Sequence, residues 1–161
     1  GDVYKRQNFN CPGQVVIAGE AGAVEKACGA LKEAGARRAV MLKVSAPFHS
    51  TLMEPAAKRL KEVLDTISIH DTLIPVFANV NAKEETKADE IRKNLVDQAA
   101  HAVHWEESVR NMIAGGVDCT VEVGPGTVLS GFMRKIDRSV TNLHAEDIDT
   151  INEVVSTLKG E

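Results

Sequence analysis

Cysteine is scarce and scattered in this sequence: Cys11, Cys28 and Cys119 form no C-x-x-C pair. An odd set at such spacings argues against a disulfide framework and for reduced thiols, as in a cytoplasm. No apolar run approaches the ~20 residues that cross a bilayer. Gly1 to Gln7 lack the apolar core of a signal peptide. Positive charge is not in excess, since 19 Lys+Arg stand against 23 Asp+Glu for a net −4, so the chain as a whole has no nucleic-acid footprint. Internal repeats and low-complexity tracts are missing too. So is a G-x-S-x-G nucleophile elbow. What remains is the composition of a globular protein, 43% hydrophobic and 26% charged, and 161 residues suffice for one domain with a real core.

Hydrophobic periodicity alternates between strand and helix patterns along the chain. Gln14 to Gly19 reads as a short strand ending in glycine. Ala23 to Ala34 has helical spacing, with Val24, Ala27, Cys28 and Leu31 on one face and Gly35 as a stop. Ala39 to Val44 reads as a second strand. Leu52 to Thr66 forms an amphipathic helix with Leu52, Met53, Ala56, Leu60, Val63 and Leu64 inward, and Pro55 falls in its first turn, where a missing N–H does no harm. Ile74 to Val80 is a strand entering the polar turn Asn81 to Thr86. Asp89 caps a helix running to about Ala100. Trp105 to Ala114 is a further helix, Cys119 to Val123 a buried strand, Thr127 to Ile136 a helix, and Ile148 to Leu158 a last amphipathic helix. This alternation predicts an α/β architecture.

Few residues could carry chemistry. His49 follows a predicted strand directly, on a turn stiffened by Pro47 and crowded by Ser45, Ala46 and Ser50. Reactive groups of α/β folds sit at such strand ends. A neutral imidazole there can take a proton near neutral pH and return it, as a serine nucleophile would require. With no nucleophile in an equivalent setting, the chain reads as half of an active site. Gly124-Pro125-Gly126 is either a tight strand-to-helix connection or a backbone that brings a helix N-terminus to an anion. His101 and His104 are three apart, but no third ligand stands at zinc spacing, so both read as structural. His70 and His144 read as surface residues. Arg37-Arg38 is either a solvated turn or a contact for a phosphate or an acidic partner. Arg134, Lys135 and Arg138 complement a helix C-terminus.

Three blocks resemble a known family. Asn8-Phe9-Asn10-Cys11-Pro12-Gly13-Gln14-Val15-Val16-Ile17-Ala18-Gly19 is similar to the N-[FY]-N-x-P-G-Q-x-V-I-[AS]-G motif of malonyl-CoA:acyl-carrier-protein transacylases. Val44 to Met53 resembles the segment with that family's catalytic histidine. Glu122 to Leu129 resembles its E-[VI]-G-P-G-x-V-L block. The resemblance implies an α/β fold: the C-terminal part of an α/β-hydrolase-like acyltransferase subdomain, plus the second half of an inserted ferredoxin-like subdomain. Residues 1–7 would be a leader outside the family pattern, 8–44 the partial small subdomain, and 45–161 the C-terminal part of the large one.

The family moves malonyl by a ping-pong route, from coenzyme A to a serine in a G-H-S-x-G elbow and then to the phosphopantetheine thiol of acyl carrier protein. Carried over, His49 matches the base that activates the serine. Gln98 matches the position whose main-chain carbonyl holds the other imidazole N–H. Gln14 and Arg38 match positions near the pantetheine and phosphate path. Phe48 resembles the malonyl-type signature, and its bulk would crowd an α-methyl branch, a discrimination of ~1–3 kcal/mol. The serine elbow, the arginine for the malonyl carboxylate and a glutamine of the oxyanion hole all precede the Asn8 block in the family.

The resemblance thus implies a cytoplasmic transferase of fatty-acid synthesis. It would have malonyl-CoA as substrate and no cofactor. Acyl carrier protein and the missing N-terminal half would be its partners, and neither nucleic acid nor membrane would take part. On this reading the chain alone is inactive and poorly stable. Two rivals stand beside it: a non-catalytic module that binds acyl carrier protein through Arg37-Arg38 and Arg134-Lys135, and a polyketide-synthase acyltransferase fragment.

Overall fold

The computed structural model describes residues 4–42 and 48–160. A hairpin comes first. β1 (Tyr4–Cys11) and β2 (Gln14–Gly19) pair antiparallel across Pro12-Gly13, with Phe9 opposite Val15 and Cys11 opposite Gln14. Tyr4 to Gln7, within the stretch set apart as a leader, lie in β1. α1 (Ala21–Glu33) follows and ends where Gly35 was expected to stop it. Ala39 to Leu42 are not a strand. Val40, Met41 and Leu42 are exposed and have no strand beside them among the described residues, so a strand-forming composition finds no ladder. Lys43 and Val44, the rest of that expected strand, lie outside the described residues, as do Ser45, Ala46 and Pro47.

The helix expected from Leu52 to Thr66 is divided: a 3-10 turn at Thr51–Met53 leads into α2 (Glu54–Leu64). Its expected inward face is corrected as well. Leu52 is 57% exposed and Val63 is 55% exposed, while Ala57 is the buried residue. β3 (Val76–Phe77) and β4 (Glu84–Glu85) form a minimal antiparallel pair, and α3 (Ala88–Asp97) starts after Lys87 rather than after Asp89. α4 (Trp105–Ala114) and β5 (Cys119–Val123) have the bounds read from the sequence.

α5 (Val128–Ile136) then carries the chain from β5 to β6 (Thr141–Ala145), which pairs with it in parallel, Glu122 opposite His144. This β-α-β crossover is the connection that parallel strands require. α6 (Ile148–Lys159) ends the described part, its first turn closed by a capping box in which Asp147 Oδ1 accepts the Thr150 N–H at 2.9 Å. The fold is mixed α/β. Among the described residues no helix is long and apolar enough to cross a membrane.

The core lies between the hairpin and the α4–α5 pair. Cys11 packs with Val109, Met133, Ile136 and Val140, and Trp105, Ile113 and Phe132 flank this cluster. The hairpin is tied down by the Phe9 N–H, which donates to Val103 O at 2.8 Å, and by the Phe9 ring stacked on His104. Apolar surface is left open elsewhere. Val123, expected in a buried strand, is 82% exposed, because among the described residues β5 has only β6 as a neighbour. Parallel sheets are ordinarily covered on both faces.

Candidate active site

His49 sits on the turn that leads into the 3-10 segment ahead of α2, with φ +62. A side chain in this left-handed region strains the backbone, and histidine tolerates it better than bulky or branched residues do. The ring is half-buried, and its Nδ1 lies 3.0 Å from the main-chain oxygen of Gln98. A carbonyl oxygen can only accept, so Nδ1 carries the proton and donates it. In the neutral ring the lone pair then belongs to Nε2. Nothing among the described residues hydrogen-bonds Nε2. Gln98 is the cap residue of α3, and helix-terminal carbonyls lack an intrahelical partner. The imidazole therefore satisfies an acceptor that the helix leaves over. Chemically, this is a base with a fixed tautomer and an open acceptor nitrogen.

The Gly-Pro-Gly turn resolves differently. Gly124 and Gly126 have φ of +126 and +85, where only glycine sits without strain. Three N–H groups in and beyond it, those of Gly126, Leu129 and Ser130, are already engaged. The Glu122 carboxylate accepts from the N–H of Leu129 at 3.0 Å and of Ser130 at 2.7 Å, and Glu146 accepts from Gly126 N–H at 2.7 Å. The chain's own carboxylates occupy the start of α5, as a helix dipole favours. The tight-connection reading holds, and the external-anion reading does not. The sequence signal was there to be read, a glutamate two residues before the turn, at the end of a strand.

Burial alone would raise the Glu122 carboxyl. Hydrogen bonds from Ser130 and the Leu129 N–H, with His144 nearby, outweigh it and hold the group below its ordinary value. A carboxyl lowered in the folded state adds stability above its unfolded value and loses it as pH falls through the folded one. Glu122→Gln is therefore expected to cost about 0.5–1 kcal/mol near neutral pH. It should also flatten the acid limb of the melting temperature against pH. An acid limb as steep as in the parent would remove Glu122 from this role.

The remaining sequence candidates are spread out. Phe48 adjoins His49 and is exposed. Gln14 opens β2, where its side-chain oxygen receives the Cys11 thiol at 3.7 Å. Arg38 follows α1 and is exposed. No contact among the described residues joins Gln14 or Arg38 to the His49–Gln98 pair. His101 Nδ1 lies 2.7 Å from Asp97 O, and His104 faces Glu107 at 3.3 Å, so the two histidines have separate partners. His144 is part-buried in β6 rather than on the surface, its ring 3.7 Å from Glu146.

No protein-family model matches the chain. A malonyl CoA-acyl carrier protein transacylase of Bacillus subtilis (strain 168) is 46% identical over 161 residues, which is the whole chain and 51% of that protein. The crystal structure of an acyl-carrier-protein-S-malonyltransferase from Bartonella henselae superposes with a TM-score of 0.93 at 38% identity, over 97% of this chain and 50% of that one. A malonyl-transacylase solved in complex with a type II polyketide acyl-carrier protein gives 0.92 at 41% identity, over 100% of this chain and 51% of that one. The chain spans about half the length of the relatives it matches. Sequence and backbone agree: over its whole length the chain is similar to about half of the malonyl CoA-acyl carrier protein transacylases it matches.

Proposed function

We propose that the chain is the C-terminal half of an [acyl-carrier-protein] S-malonyltransferase and supplies its general base. The observation that carries this reading is the His49 Nδ1–Gln98 O contact of 3.0 Å, which leaves Nε2 ready to accept a proton. In the reaction, Nε2 takes the hydroxyl proton of the family's elbow serine as that oxygen attacks the thioester carbonyl of malonyl-CoA. The proton then goes to the departing coenzyme A thiolate. The second half reverses these roles. Nε2 takes the proton of the phosphopantetheine thiol of acyl carrier protein, the sulfur attacks the malonyl-serine ester, and the proton returns to the serine. Gln98 holds the ring in one tautomer throughout.

Gln14 and Arg38 would lie along the pantetheine and phosphate path, and Phe48 would favour malonyl over a branched acyl group. The step asks for no cofactor beyond its substrates. Its place is fatty-acid synthesis in the cytoplasm. Residues 8–44 would belong to the inserted ferredoxin-like subdomain and 45–161 to the hydrolase-like one. The serine comes from the N-terminal half, and the open faces at Leu52, Val63, Ile74 and Val123 are where that half would pack. The chain alone is accordingly inactive.

A second reading, a polyketide-type acyltransferase, is favoured by one observation: a solved neighbour holds a type II polyketide acyl-carrier protein.

The test joins this chain to the matching N-terminal half of the Bacillus subtilis relative. The joined protein should load malonyl onto holo-acyl carrier protein, while the chain alone loads none. A joined protein that binds the carrier protein, with binding weakened by salt and by Arg38→Ala, yet transfers nothing would hand the case to the non-catalytic binding module.

A further inference from the structure

Arg92 lies in the second turn of α3, half-buried, and its guanidinium reaches across to the end of α2. One arm donates to the main-chain oxygen of Leu64, and the other donates to that of Ile67 at 2.8 Å. These are carbonyls at and just beyond the last turn of α2, where acceptors are left over and the helix dipole favours a cation. At the other end of the same helix pair, His49 lies ahead of α2 and gives its Nδ1–H to Gln98 at the end of α3. α2 and α3 therefore run in opposite directions, and each C-terminus is held by a side chain from the other's segment. Among the described residues, these two side-chain links bracket the pair at its ends. Loss of the arginine removes the clamp at one end of the pair, and His49 is joined to α2 through the 3-10 turn at the other.

We propose that Arg92 is a positioning residue for His49: its grip on Leu64 O and Ile67 O sets the α2–α3 register that keeps Gln98 O under the imidazole. The catalytic meaning of this placement rests on the transacylase reading. The placement itself does not.

The test labels histidine with 15N and reads the His49 tautomer near neutral pH, with His49→Gln assigning the signal. In the whole 161-residue chain the Nδ1–H form should dominate. Arg92→Ala should lower the ratio of the Nδ1–H to the Nε2–H form roughly fivefold or more, the worth of one ordinary hydrogen bond. Arg92→Lys keeps the cation but loses the fork, and should fall between. Lys93→Ala, which removes the exposed ion pair with Asp97 on the same helix, should leave the ratio unchanged. Far-UV circular dichroism reports folding, and if Arg92→Ala does not fold, the lysine variant decides. A merely structural arginine would lower the melting temperature while the tautomer ratio stayed at the parent value. That result in a folded variant overturns the proposal. In the joined protein, Arg92→Lys should reduce kcat with little change in KM. A joined protein inactive with Arg92 intact would count against the transfer reading, and the tautomer measurement would still decide on Arg92.

Discussion

His49→Gln in the joined protein is expected to lower kcat/KM for malonyl transfer roughly hundred- to ten-thousand-fold. The substitution keeps a polar side chain on the turn but removes the only group there that can take a proton. The loss should fall on kcat, with KM for malonyl-CoA little changed, because the base acts in the transition state and not in holding the substrate. Steady-state transfer to holo-acyl carrier protein measures both constants. A loss of less than about tenfold would mean that another group accepts the serine proton.

Met133→Ala is expected to have the largest effect on stability, about 2–5 kcal/mol. Met133 is 4% exposed and fills the space between β1, α4 and α5, against Cys11, Val109 and Val140. Truncation removes its contacts and leaves a cavity, because the hairpin on one side and the helix on the other cannot both move in. Denaturant unfolding of the chain measures the change. The companion is Val123→Ala at a site 82% exposed, which should change the isolated chain by less than about 0.5 kcal/mol. In the joined protein the same substitution should cost more than about 1 kcal/mol if the second half covers that valine. Equal small effects in both would remove Val123 from the proposed contact face.

The elements read most closely from the sequence are those whose environment is complete within the chain. Trp105 to Ala114 is closed by Gly115-Gly116, packs one face on the hairpin, and matches its expected limits. Three strands were passed over, the two-residue Glu84–Glu85 within the expected polar turn among them. Tyr4–Cys11 is largely polar along its length and is defined by its pairing with Gln14–Gly19. Thr141–Ala145 has one large aliphatic residue, Leu143, and one β-preferring residue, Thr141, and is a strand because α5 lays it beside β5. Pairing is a non-local interaction, so local pattern could not reveal it.

The opposite error, apolar residues expected inward and found in the open, falls on Leu52, Leu60, Val63 and Val123. Nothing among the described residues buries them, and on the proposed reading a second half would. The His49–Gln98 pair was legible only through resemblance, since their link is a main-chain oxygen 49 residues away and carries no side-chain signature. Arg92 was silent for the same reason, as its acceptors are backbone carbonyls.

The left-handed backbone at His49 sets stability against the proposed catalytic role in one residue. Glycine or asparagine would occupy that conformation at lower cost. A library of variants ranked by heat tolerance alone would therefore drift away from histidine here, and would discard the proposed base while appearing to improve the protein. Any effort to harden this scaffold has to hold that position fixed and seek its gains in the core around Met133.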